Sequence, residues 1–139
     1  MYKGIMVGFM VWGLLVASGA QAASPSPEGA KVYIISPANG ASLSSPVKVQ
    51  FGLSGMGVAP AGIDKVNTGH HHLLIDTGLP SMDNPIPSDS LHKHFGGGQT
   101  EVMLELKPGK HTLQLLLGDN GHIPHNPPVV SEKITIMVK

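Results

Sequence analysis

The chain has 139 residues with nine lysines, no arginine, nine carboxylates and no cysteine, so its formal net charge is zero with neutral histidines. This excludes a disulfide framework, offers no basic surface for nucleic acid, and removes the side chain best suited to bidentate phosphate contacts. Aromatic residues make up only 4%, which is poor equipment for stacking on bases or sugars.

The N-terminus reads as a secretory signal. Lys3 supplies the positive start, Ile5 to Ala17 is apolar apart from small residues, and Ala20-Gln21-Ala22 gives the small-x-small pattern of a cleavage site. Residues 1–22 are therefore expected to be removed, leaving a periplasmic or secreted protein that starts at Ala23. The apolar stretch is short for a membrane span, and without a cysteine after it a lipid anchor is excluded.

Ser24-Pro25-Ser26-Pro27-Glu28-Gly29 reads as part of a flexible lead over residues 23–30. Beyond it, glycine and proline recur so often that the longest run free of both is Val129 to Lys139, which leaves no room for a helix of ordinary length. Short apolar or alternating runs remain. Lys31 to Ser36 is the first, closed by the turn residues Pro37-Ala38-Asn39-Gly40. In Val47 to Leu53, Val47, Val49, Phe51 and Leu53 alternate with Lys48, Gln50 and Gly52, the period of a half-buried strand. His70 to Asp76, Glu101 to Leu106, a run carrying Leu113, Leu115 and Leu117, and Ser131 to Lys139 complete the series. The pattern predicts a single all-β domain over residues 31–139, an immunoglobulin-like β-sandwich of about six or seven strands, with a small barrel as the alternative. Two irregular loops, Ser54 to Thr68 and Gly78 to Leu91, each run into a histidine cluster.

Seven of the eight histidines fall into three clusters: His70-His71-His72, His92-Lys93-His94, and His122-Ile123-Pro124-His125. Imidazole is the commonest protein ligand for copper and zinc, so the clusters suggest a metal site if the fold brings them together. On a strand His70 and His72 share a face and His71 takes the other. If Leu73 and Ile75 point inward, His71 faces the core and the outer pair is free for ligation. Hydrogen bonding of these rings to loop carbonyls is the simpler reading. His92 suits a solvated loop better than a metal, and His94 stands beside Phe95, which is expected to be buried. Pro124, Pro127 and Pro128 restrain the loop that carries His122 and His125. His111 reads as a surface residue.

Asp76 and Asp119 could orient an imidazole, although Asp119-Asn120-Gly121 is better explained as turn chemistry. Met56 and Met82 could offer thioethers to Cu(I), and Met103 and Met137 suit outer sheet surface. A blue-copper site needs a cysteine, and an amino-terminal imidazole brace needs a mature chain that begins with histidine. Neither is provided.

With these residues in view, the chain resembles an uncharacterised bacterial exported family, the domain of unknown function 4399. The resemblance rests on Gly69-His70-His71-His72-Leu73-Leu74-Ile75-Asp76, on the stretch from His94 to Glu101, on Pro108-Gly109-Lys110-His111-Thr112-Leu113, on Leu117-Gly118-Asp119, and on His122-Ile123-Pro124-His125. It covers Gly69 to Val138 and implies that His70, His72, His94, His122 and His125 belong to the family motif. The family name carries no activity. The leading expectation is a metal-binding protein that captures or delivers copper or zinc through these five histidines. The alternative is a non-catalytic interaction or structural module with a protein partner in the cell envelope. A metalloenzyme is a third reading, and it would need Asp76 or Asp119 beside the ion.

Overall fold

The computed structural model describes Gly13, Leu15 and residues 19–139. The signal segment expected over residues 1–22 lies mostly outside the described residues. Among the described residues, every regular element is a strand. In chain order these are β1 (Lys31–Ser36), β2 (Ser42–Leu43), β3 (Val47–Ser54), β4 (Gly57–Val58), β5 (Thr68–Ile75), β6 (His92–His94), β7 (Glu101–Leu104), β8 (Gly109–Gly118) and β9 (Ile134–Val138). The six longer strands match the six runs expected from alternation. The other three, β2, β4 and β6, have two or three residues and are too short for any periodicity to reveal.

The strands form two sheets of a sandwich. One has the order β1-β3-β7, and the other runs β2-β9-β8-β5-β4 with β6 also paired to β5. Alternation aims Val32, Val49, Phe51 and Leu104 of the smaller sheet at Leu73, Leu113, Leu115, Leu117 and Ile136 of the larger one. Each such leucine is almost completely buried, a burial that contributes about 1.5–3 kcal/mol per side chain. The outward residues Tyr33, Ile35, Met103 and Met137 remain exposed, as the phase of their strands requires.

β5 is the exception to one-sided burial, because both of its faces are covered. Leu73 and Ile75 face the sandwich core, and His71 joins them with its ring centroid 5.2 Å from that of Phe51. On the opposite face Leu74 packs with Leu116, Ile86 and Met82 in a second apolar cluster. Part of the long loop between β5 and β6 thus lies over the outer face of the larger sheet. His70 and His72 share that covered face.

The lead pairs with a later loop. Asn126 N–H donates to the Ser24 carbonyl, Ser26 N–H donates to the Asn126 carbonyl, and Ser26 Oγ donates to the Pro127 carbonyl at 2.6 Å. A parallel bridge between Pro25 and Asn126 results. Backbone groups and the Ser26 hydroxyl thus pair residues 24–26 with the loop after His125.

Candidate metal centre

Pairing of β5 with β6 sets His72 directly opposite His94, and pairing with β8 sets His70 opposite Gly118. Residues directly opposite one another share a sheet face, so His94 is delivered to the side already occupied by His70 and His72. Immediately after Gly118 the chain turns through Asp119-Asn120-Gly121 and returns, with Gly118 bridged to Pro124. His122 sits within this turn at φ 67°, a left-handed conformation in which histidine is several-fold enriched among non-glycine residues. Asp119 holds the turn. Its Oδ1 accepts hydrogen bonds from the N–H groups of Gly121 and Ile123, and its backbone carbonyl accepts from His122 N–H at 2.9 Å.

One ring nitrogen from each of His70, His72, His94 and His122 lies within 4.8 Å of the others. His70 Nε2 is 3.1 Å from His122 Nδ1 and 3.2 Å from His94 Nε2. Four nitrogens around a tetrahedral zinc would be separated by about 3.3 Å, given metal–nitrogen bonds of about 2.0–2.1 Å. The two distances from His70 are close to that edge, and the whole group lies within 4.8 Å. It is also hard to satisfy with protons alone: an imidazole nitrogen offers one hydrogen or one in-plane lone pair, so His70 Nε2 cannot make two good hydrogen bonds. A cation at the centre would serve all the lone pairs together.

Two electrostatic effects favour the neutral form of three of these rings, His70, His72 and His94. Burial, followed by the neighbouring His122 and His94, lowers the His70 pKa to about 4. Burial, followed by His70, His94 and His122, lowers that of His72 to about 3. Burial and His122 also lower His94. At neutral pH these three rings therefore carry lone pairs rather than charge, the form that binds metal. The Nδ1 atoms of His70 and His72 are buried and have no hydrogen-bond partner.

Glycines make room for these rings. A methyl group at Gly118 would sit 2.6 Å from His72 Cε1, and one at Gly96 would collide with the His94 ring. Gly96 stands within the Gly96-Gly97-Gly98 run apparent in the sequence. Gly118 gives no such signal, because its role depends on the register of β5 against β8.

The fifth expected ligand, His125, is not brought into the group. It is buried below the start of β5, where its Nε2 donates to the Thr68 carbonyl at 3.0 Å. The intervening turn, bridged at Pro124, carries the two imidazoles of this segment to different places. His92 lies outside the group too, with its Nδ1 2.8 Å from Asp89. His111, expected on the surface, is half-buried, with Nδ1 2.7 Å from the Asp76 carboxylate and Nε2 donating to the Lys107 carbonyl. Those two acceptors, Asp76 first, raise its pKa.

Both carboxylates considered for chemistry are engaged elsewhere. Asp76 accepts from Thr112 N–H and faces His111. Asp119 Oδ2 accepts from Ser24 N–H and Ser24 Oγ, while Oδ1 serves Gly121 and Ile123. Burial pushes the Asp119 carboxyl up, but the hydrogen bonds from Ser24, Ile123 and Gly121 outweigh it and hold the group below the usual range. Turn chemistry is the role that this geometry gives Asp119. Met56 packs against the main core, and Met82 packs in the outer cluster with Leu74 and Ile86.

A family model described as Domain of unknown function (DUF4399) matches residues 49–139. The chain belongs to that family. No curated protein and no solved structure matches it. The matched region contains β5, β6 and the turn after β8, so all four gathered histidines come from the family domain.

Proposed function

We propose that this member of the domain of unknown function 4399 family is an exported protein that binds one copper or zinc ion through His70, His72, His94 and His122, for capture or delivery. The observation that carries the reading is the approach of four imidazoles from three separate stretches of chain to one point. Nitrogen ligands of this kind suit both Cu(II) and Zn(II). The signal-like residues 1–22 support export. Delivery would also require a protein partner in the cell envelope, to which the ion is passed.

The test is titration of the mature domain with Cu(II) and with Zn(II), followed by calorimetry and bound-metal analysis. One tight equivalent per chain is expected for at least one ion. The H122N variant keeps a residue that tolerates the left-handed backbone and removes the ligand. It is expected to lose tight binding while melting close to the parent in the absence of metal. Failure of the parent domain to take up either ion stoichiometrically would end the metal reading.

A further inference from the structure

A cavity of about 140 Å³ opens beside the four histidines, lined by His72, Pro85, Ile86, Ser88, His94 and His122. His70 is absent from its wall and is fully buried behind the others. The wall is tied to the ligand turn, because Ile86 N–H donates to the His122 carbonyl at 2.8 Å. Resting on the metal reading above, we propose that the bound ion keeps one coordination position open toward this cavity. It accepts there a single small exogenous ligand, a linear anion or neutral molecule of two or three non-hydrogen atoms.

The geometry favours this in three ways. A ligand entering from the cavity would meet a bound ion through a face made by three of its four histidines. His72, His94 and His122 make such a face, and His70 lies behind it. The cavity has room for a few non-hydrogen atoms, more than the minimum for one water. Its remaining walls select by chemistry: Pro85 and Ile86 offer no side-chain donor, and Ser88 offers one hydroxyl. A phosphate or carboxylate would find too few partners for its oxygens, whereas a slim ligand needs the ion and at most one hydrogen bond.

The probe is sodium azide, added to protein loaded with Cu(II) and checked by bound-metal analysis. If the chain loads zinc alone, Co(II) replaces it as the coloured ion. Saturable growth of an azide-to-metal charge-transfer band is expected, one azide per ion, with metal content unchanged. Ser88 and Pro85 are exposed at the mouth, so S88W and P85W can fill the cavity without disturbing the core. At least one of them should keep full metal loading and weaken azide by about tenfold or more, equivalent to about 1.4 kcal/mol. The proposal is overturned if loaded parent protein shows no band, if azide strips the ion, or if both tryptophan variants bind azide as the parent does. Each of these results leaves the metal reading intact. Failure to load any ion at the outset defeats both.

Discussion

Three consecutive histidines on β5 have two different environments, and a period of two separates them. That His70 and His72 share a face is legible from their spacing, but which face they occupy is not. Leu73 and Ile75 on one side and Leu74 on the other are all apolar, and the strand is buried on both sides. The structure gives His71 to the core, where both ring nitrogens are buried without a hydrogen-bond partner. Leaving a buried polar group unsatisfied costs about 1–3 kcal/mol. The variant H71L, similar in volume, is therefore expected to raise stability by about 1–2 kcal/mol and leave metal stoichiometry unchanged. Chemical denaturation would measure the first effect. A loss of stability would mean that the imidazole finds partners in solution.

Elements determine which of the remaining histidines converge. His94 arrives on β6, a strand of three residues, whose pairing with β5 no alternation could forecast. His122 is singled out by its proline-rich surroundings, yet the same surroundings equally suggest His125. What separates them is a positive φ at His122 and a chain reversal, both of which are products of hydrogen bonding around Asp119. The close approach of β8 to the His72 ring is likewise a matter of register. Gly118→Ala would place a methyl 2.6 Å from His72 Cε1 and 3.0 Å from its Nδ1, forcing the ring away from its neighbours. Metal affinity is expected to fall about tenfold or more, since a displaced ligand loses at least about 1.4 kcal/mol of binding. Calorimetry on the variant checks this, and an unchanged affinity would show that His72 is not held where the structure places it.

At the scale of the whole molecule, the sandwich is legible because its six longer strands alternate or carry dense aliphatic runs, bounded by glycine and proline. The convergence of four imidazoles is not legible, since it depends on sheet order. That order also concentrates buried histidines, with consequences for acid stability. The folded-state pKa values of His70, His71 and His72 are lowered by burial to about 4, about 4 and about 3, from 6.5. Above pH 6.5 both folded and unfolded chains leave these rings neutral, and their contribution to stability is fully present. As pH falls below 6.5 the unfolded chain takes up protons that the native state refuses, so stability declines toward pH 4. The metal-free protein is expected to take up about two to three protons on unfolding near pH 5. Denaturation measured between pH 7 and pH 4.5 should show a steady loss, and a flat profile would contradict the burial of these rings.

The hydrogen bonds from Ser24 to Asp119 and between residues 24–26 and Asn126 have a practical consequence. A shortened version beginning at Lys31 would keep every long strand and look like a tidy domain. It would also lack the brace behind the segment that offers His122. Such a truncation could pass a folding assay and still misreport how strongly the intact protein holds an ion.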